Sequence, residues 1–209
     1  MFETRAPRPD RRIDTPRLRG SEDHKVDWPL NSDTFAQFLE RNKSRLVESD
    51  RARVAIFEPD AAVEAQHIAT AERQLGLALP ASYKTFLRVC GSGLWCGDYV
   101  APPEGVYPFD EDCGDMEGFL ALVHNVRGAG NFVSMNPREQ TAAGEWALYY
   151  CSHDPFGFGR IADSFESWTR GTLAAFEANE SLYDKAADDV ERTWRRFRAQ
   201  SKKRWQFWK

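Results

Sequence analysis

Basic residues are missing from one long piece of this sequence. Between Arg88 and Arg127 there is no Lys or Arg, while Asp98, Glu104, Asp110, Glu111, Asp112, Asp115 and Glu117 all fall there. Cysteine is scarce too. The thiols at 90, 96, 113 and 151 are unevenly spaced and include no C-x-x-C pair. That spacing argues against a disulfide framework or a zinc knuckle and for reduced thiols. Cys96, Cys113, Cys151 and His153 are the one candidate zinc set; buried or half-buried free cysteine is the reading adopted, with no metal and no cofactor. No apolar run approaches a membrane span, and the opening MFETRAPRPDRR has arginines with no apolar stretch behind them. Neither a span nor a secretion signal is expected, and a soluble cytoplasmic protein follows. HExxH, the phosphate-binding P-loop and the nucleophile elbow are absent.

What is present is length and aromatic bulk. A chain of 209 residues with seven Trp, fourteen Phe and six Tyr is long enough for one substantial core with appendages. Charge is segregated: residues 191–209 carry eight Lys and Arg against Glu191 alone, and the first twenty residues carry six Arg against three acids. The body is acidic and the ends are basic. Residues 1–27, with Pro7, Pro9 and Pro16, lack apolar periodicity and read as a flexible arm.

The stretch from Asp60 to Gly91 reads as two helices around a tight corner. Ala61, Ala65, Ile68, Ala71 and Leu75 form one stripe, with Asp60 as its cap. Gly76 ends the helix in the left-handed conformation, with Leu77 folding back. Pro80 opens the second helix at its first position, and Tyr83, Phe86, Leu87 and Cys90 make its buried face. An earlier helix is expected over Asn31 to Val47, capped by Ser32 or Asp33. Val54 to Phe57 is a strand or a linker. Beyond Gly91 the pattern changes to strands: Leu94–Val100, Phe119–Val123, Phe132–Met135, Trp146–Cys151 and Arg160–Ala162. Trp146 to Cys151 alternates most cleanly, with Trp146, Leu148 and Tyr150 on one face, and is placed centrally. Gly128 and Gly130 serve a turn, not a phosphate. Asp163 and Glu166 suggest a capping box for a helix from Ser164 to about Ala178 that buries Phe165. Tyr183, Ala187, Val190, Trp194 and Phe197 mark a last amphipathic helix.

The string AERQLGLALPASYKTFLRVCGSG, followed in order by GAGNF, EWALYYCSHD and IADSFESW, resembles the pattern of the SUKH superfamily, which holds bacterial toxin-immunity proteins and fungal cell-wall-synthesis regulators. The resemblance spans Ala61 to Phe176. It implies a single α+β domain, over about 28–180, and a non-enzymatic role in binding a protein partner. The expectation is a mixed or mostly antiparallel sheet of about five or six strands with helices packed on it and added helices at both ends. Gly76, Pro80, Tyr83, Phe86, Trp146 and Phe165 are its structural positions.

Three constellations remain. Cys151, His153 and Asp154, or His124, would serve an enzyme, but no orienting third group or oxyanion site accompanies them, so no catalysis is expected. The acidic stretch interleaves Trp95, Tyr99, Tyr107 and Phe109 with Pro102, Pro103 and Pro108. It reads either as a solvated loop over packed rings or as an interface for a basic protein, in which rings anchor and charges steer. Its candidate partner-binding residues are Trp95, Asp98, Tyr99, Glu104, Tyr107, Asp110, Glu111, Asp112 and Asp115. The basic tail, with Trp194, Phe197, Trp205, Phe207 and Trp208, admits three readings: nucleic-acid binding, an anionic membrane surface, or docking back on the body or on a second subunit with its cations near the acidic loop. The last is preferred. The expected function is an immunity protein that neutralises a toxin domain, for instance a nuclease. A regulatory or scaffolding module is the second reading, and nucleic-acid binding through the basic tail, 191–209, of the C-terminal segment 181–209 is the third.

Overall fold

Thr34 caps the first helix among the described residues. Its hydroxyl accepts the Gln37 N–H while the Gln37 side chain takes the Thr34 N–H, a capping box one residue beyond the expected Asp33. The computed structural model describes residues 34–48, 53–126, 128–141 and 143–206, with the backbone alone for 111, 112 and 200–206; the expected arm over 1–27 lies outside them. Helix α1 (Phe35–Asn42) stops well short of Val47, because Leu46 and Val47 pair with Ala55 and Val54 in a two-stranded ribbon, β1 (Leu46–Glu48) and β2 (Arg53–Ala55).

Strand β3 (Phe57–Ala61) then joins the main sheet, so Asp60 is not a helix cap. Its carboxylate accepts the Tyr99 hydroxyl at 2.7 Å, and α2 (Ala65–Leu75) starts later, with Glu64 in the cap position. Phe57 is buried and Pro59 sits on the sheet edge, where it blocks a further strand from pairing. Gly76 holds φ 70° and ψ 21° and lets the Leu77 N–H turn back to the Glu72 carbonyl. Pro80 is the residue before α3 (Ala81–Val89), extended at ψ 146°, and not its first helical residue. The free N–H of Ser82 donates to Glu145 at 2.8 Å, so a carboxylate from a distant turn caps this helix.

The expected strand Leu94–Val100 is a hairpin, β4 (Ser92–Trp95) and β5 (Asp98–Val100). Cys96 and Gly97 both have positive φ, 52° and 88°, as the tightest two-residue hairpin turns require. After β6 (Tyr107–Pro108) and a 3-10 turn over Glu111–Met116 come β7 (Leu120–Val126), β8 (Asn131–Gln140), β9 (Trp146–His153) and β10 (Phe156–Ala162). The chain closes with α4 (Phe165–Glu177), capped by Ser164 and Ser167 in place of Asp163 and Glu166, a 3-10 turn at Leu182–Ala186, and α5 (Ala187–Gln206).

These strands make one antiparallel sheet in the order β10-β9-β8-β7-β5-β4-β3, with β6 beside β7 beyond the end of β5. It holds eight strands, more than expected, because β3, the split at Cys96–Gly97 and β6 each add one. Strand β9 lies one position in from the edge and not at the centre.

Helices α1 to α4 gather on one face. Trp95 is fully buried there between Phe38, Phe57 and Phe86, at centroid distances of 6.3, 6.4 and 5.6 Å. Phe165 packs on Tyr83 and Phe86, and Trp146, Leu148 and Tyr150 of β9 belong to the same cluster. The Tyr83 hydroxyl donates to the Ala101 carbonyl at 2.8 Å, which lets a phenol lie wholly inside. Ala147, Tyr149 and Cys151 point the other way, into a smaller cluster with Met116 and Phe119. Helices α1 to α4 contribute nothing to that second cluster; the loop before β7 covers it instead.

Candidate partner-binding surface

The face of the sheet that α1 to α4 leave open is aromatic from β5 to β10. Phe132, Cys151 and Phe158 are opposite one another across β8, β9 and β10, and Tyr99 of β5 is opposite His124 of β7. Cross-strand pairing therefore sets one row of rings. The loop lays Tyr107 and Phe109 on it. Tyr107 lies 5.5 Å from His124 and 6.4 Å from Phe132, and Phe109 lies 5.8 Å from Phe132 and 6.3 Å from Tyr107. Most of these contacts are edge-to-face, the arrangement that ring quadrupoles favour. Tyr107 is the outermost ring, 43% exposed.

Pro102 and Pro103 open a short 3-10 turn and Pro108 sits in β6, so the loop carries its rings on a stiff backbone. Glu104, Asp110, Asp115 and Glu117 are exposed along it. Asp110 accepts from the Cys113 thiol at 3.5 Å; the bond to Asp60, burial and the nearby Glu104 push the Tyr99 hydroxyl above the ordinary phenol value. The side chains of Glu111 and Asp112 lie outside the described residues. His124 sits in the ring row with Nε2 buried and unpaired; burial pushes its pKa below the ordinary value, so the ring is neutral at pH 7.

Two of the candidate residues are corrected. Trp95 points from β4 into the main core and donates Nε1–H to the Thr169 carbonyl at 3.1 Å, so no partner touches it. Asp98 flanks the same hairpin turn and is 4% exposed; the Tyr183 hydroxyl donates to its carboxylate, the hydrogen bond that makes such burial tolerable. Tyr99 is half-buried and shows only part of its ring. Conversely, Phe132 and His124 belong to the surface. Their signal was the alternation of β8 and the pairing of His124 with Tyr99, which no spacing along one strand discloses.

Cys151 and His153 do not make a nucleophile and base. The Cys151 thiol is buried, donates weakly to the Tyr149 carbonyl at 3.8 Å, and burial pushes its pKa up to about 12. His153 is exposed with Nδ1 at 2.9 Å from Asn131 Oδ1. Among the described residues no three His, Cys, Asp or Glu converge as a metal site. No helix among them is long and apolar enough to cross a membrane.

The corner at Gly76, the hairpin that follows it and the first half of the closing helix α4 fall within residues 62–171, which match the model of the SMI1 / KNR4 family (SUKH-1). The chain belongs to this family. Comparison with curated proteins and with solved structures finds no match. Membership fits an immunity or regulatory role exercised through protein interaction. The ring row and the exposed acids all lie within the matched span, whereas α5 lies beyond it.

Proposed function

We propose that this chain is a non-enzymatic immunity protein that binds and neutralises a protein toxin domain, a nuclease being one candidate, through the acidic loop and the ring row beneath it. The observation that carries the reading is the meeting of two properties on one face. The 38 positions between Arg88 and Arg127 hold seven acids and no cation, and they fold over an aromatic row that α1 to α4 leave uncovered. A single-sign rim speeds encounter with a basic partner, and rigid rings at its centre slow dissociation. Glu104, Tyr107, Asp110 and Asp115 are the exposed contributors, with Glu111 and Asp112 in the same turn and Tyr99, Phe109, Phe132 and His124 behind them. Neutralisation by occupancy requires no reactive group, which is consistent with a buried, protonated Cys151 thiol. The cytoplasm is the compartment proposed, since a reduced state suits four free cysteines.

The experiment is capture of the partner from the native cell by the full chain, identification by mass spectrometry, and expression of that partner alone and together with this chain. Growth arrest by the partner alone, relieved by co-expression and not by a Tyr107→Ala, Asp110→Lys variant, is the expected result. A partner that is harmless by itself would replace the immunity reading with a regulatory or scaffolding one.

A further inference from the structure

The C-terminal helix meets the acidic loop at a seam. Arg196 Nη1 stands 3.8 Å from Asp115 Oδ2. One residue on, Phe197 packs on Phe156 with centroids 4.8 Å apart and lies over Gly114 of the same loop, where an added Cβ would be 3.8 Å from its ring. The helix thus offers the loop an arginine followed by an aromatic ring, the chemistry expected of a basic partner. We infer that Arg196 and Phe197 are an intramolecular occupant of one end of the binding surface, and that a basic partner must displace Arg196 from Asp115 to use the whole of it. This rests on the proposed binding surface and adds its regulation.

The start and the middle of α5 are held differently, as such a device requires. Near the helix start Val190 is buried and the Thr193 hydroxyl accepts the Phe158 N–H at 2.9 Å, so the helix is fastened to the sheet edge. At the seam both charges are about half exposed, 47% for Arg196 and 51% for Asp115. An exposed pair of this kind contributes little and yields readily to competition. Arg195 is the internal control: it pairs with Glu191 on the same helix at 2.8 Å, is 76% exposed, and makes no such contact with the described side chains of the loop.

The test uses a fluorescein-labelled octa-arginine peptide at low salt against the full chain, Arg196→Gln, Arg195→Gln, Asp110→Lys, and Arg196→Gln in an Asp115→Asn background, each checked for an unchanged thermal midpoint. Both arginine variants alter net charge equally, so any excess belongs to the seam. Arg196→Gln should tighten binding by about two- to fivefold beyond Arg195→Gln, and the excess should vanish with Asp115→Asn. Equal effects of the two arginine variants, with binding still weakened by Asp110→Lys, would overturn the seam while sparing the surface. Binding indifferent to Asp110→Lys would overturn the surface and the seam with it.

Discussion

Glu72 ties the corner between α2 and α3 through one oxygen: Oε1 accepts the Leu79 N–H at 2.9 Å and the Lys84 ammonium at 2.9 Å. Burial by itself would raise its pKa, but Lys84 and the Leu79 N–H together bring it below the ordinary 4.5. A carboxylate with a lowered folded value binds fewer protons folded than unfolded. Its stabilisation is therefore complete above about pH 4.5 and is lost as the pH falls through the lower folded value. Glu72→Gln should cost about 1–2 kcal/mol at pH 7, with the deficit shrinking in urea titrations carried toward pH 3; a deficit constant with pH would mean that the charge is immaterial. Gly76 and the corner were legible in the sequence because a left-handed cap depends on a local residue type. The role of Glu72 was not, since its partners lie seven and twelve positions away across a turn.

Elements were legible where the signal was periodic and misread where pairing overrode it. The alternation of β9 correctly assigned its two faces, whereas Asp60 looked like a cap until β3 claimed it for the sheet. The hairpin at Cys96–Gly97 was hidden because Cys is an uncommon residue for a positive φ, a conformation that Asn or Gly usually signals. Helix α5 was expected from its spacing, but what seats it is on the strand. Gly157 is buried against it, and a Cβ there would come within 2.4 Å of the Val190 carbonyl; at Gly159 one would meet Ala186 and Asp189 within 2.9 Å. Gly157→Ala should push α5 off β10 at a cost of about 1–3 kcal/mol, and amide exchange should rise in residues 190–197 while β7 and β8 stay protected. Undisturbed exchange in α5 would mean that the contact is slack.

At the scale of the molecule the sequence disclosed the class and the charge pattern but not the open face. An antiparallel α+β domain follows from the order of helical and alternating segments. Which side of the sheet the helices cover follows from chain crossings, and these decide that Trp95 is core while Tyr107 is surface. Charge segregation acquires geometric meaning only here, with exposed acids along the loop over the ring row and Arg196 of α5 at one flank. Reversing Asp110, Glu111 and Asp112 to Lys should leave the thermal midpoint nearly unchanged, because loop charges contribute little to stability. It should slow association with a basic partner by at least about tenfold at low salt and flatten the salt dependence of that rate. Tyr107→Ala should leave the association rate alone and speed dissociation, since a ring acts after contact is made. Stopped-flow measurements across a salt series separate the two effects. If the association rate ignores both salt and the triple reversal, the acids serve only to solvate the loop, and the partner docks on another face of the domain.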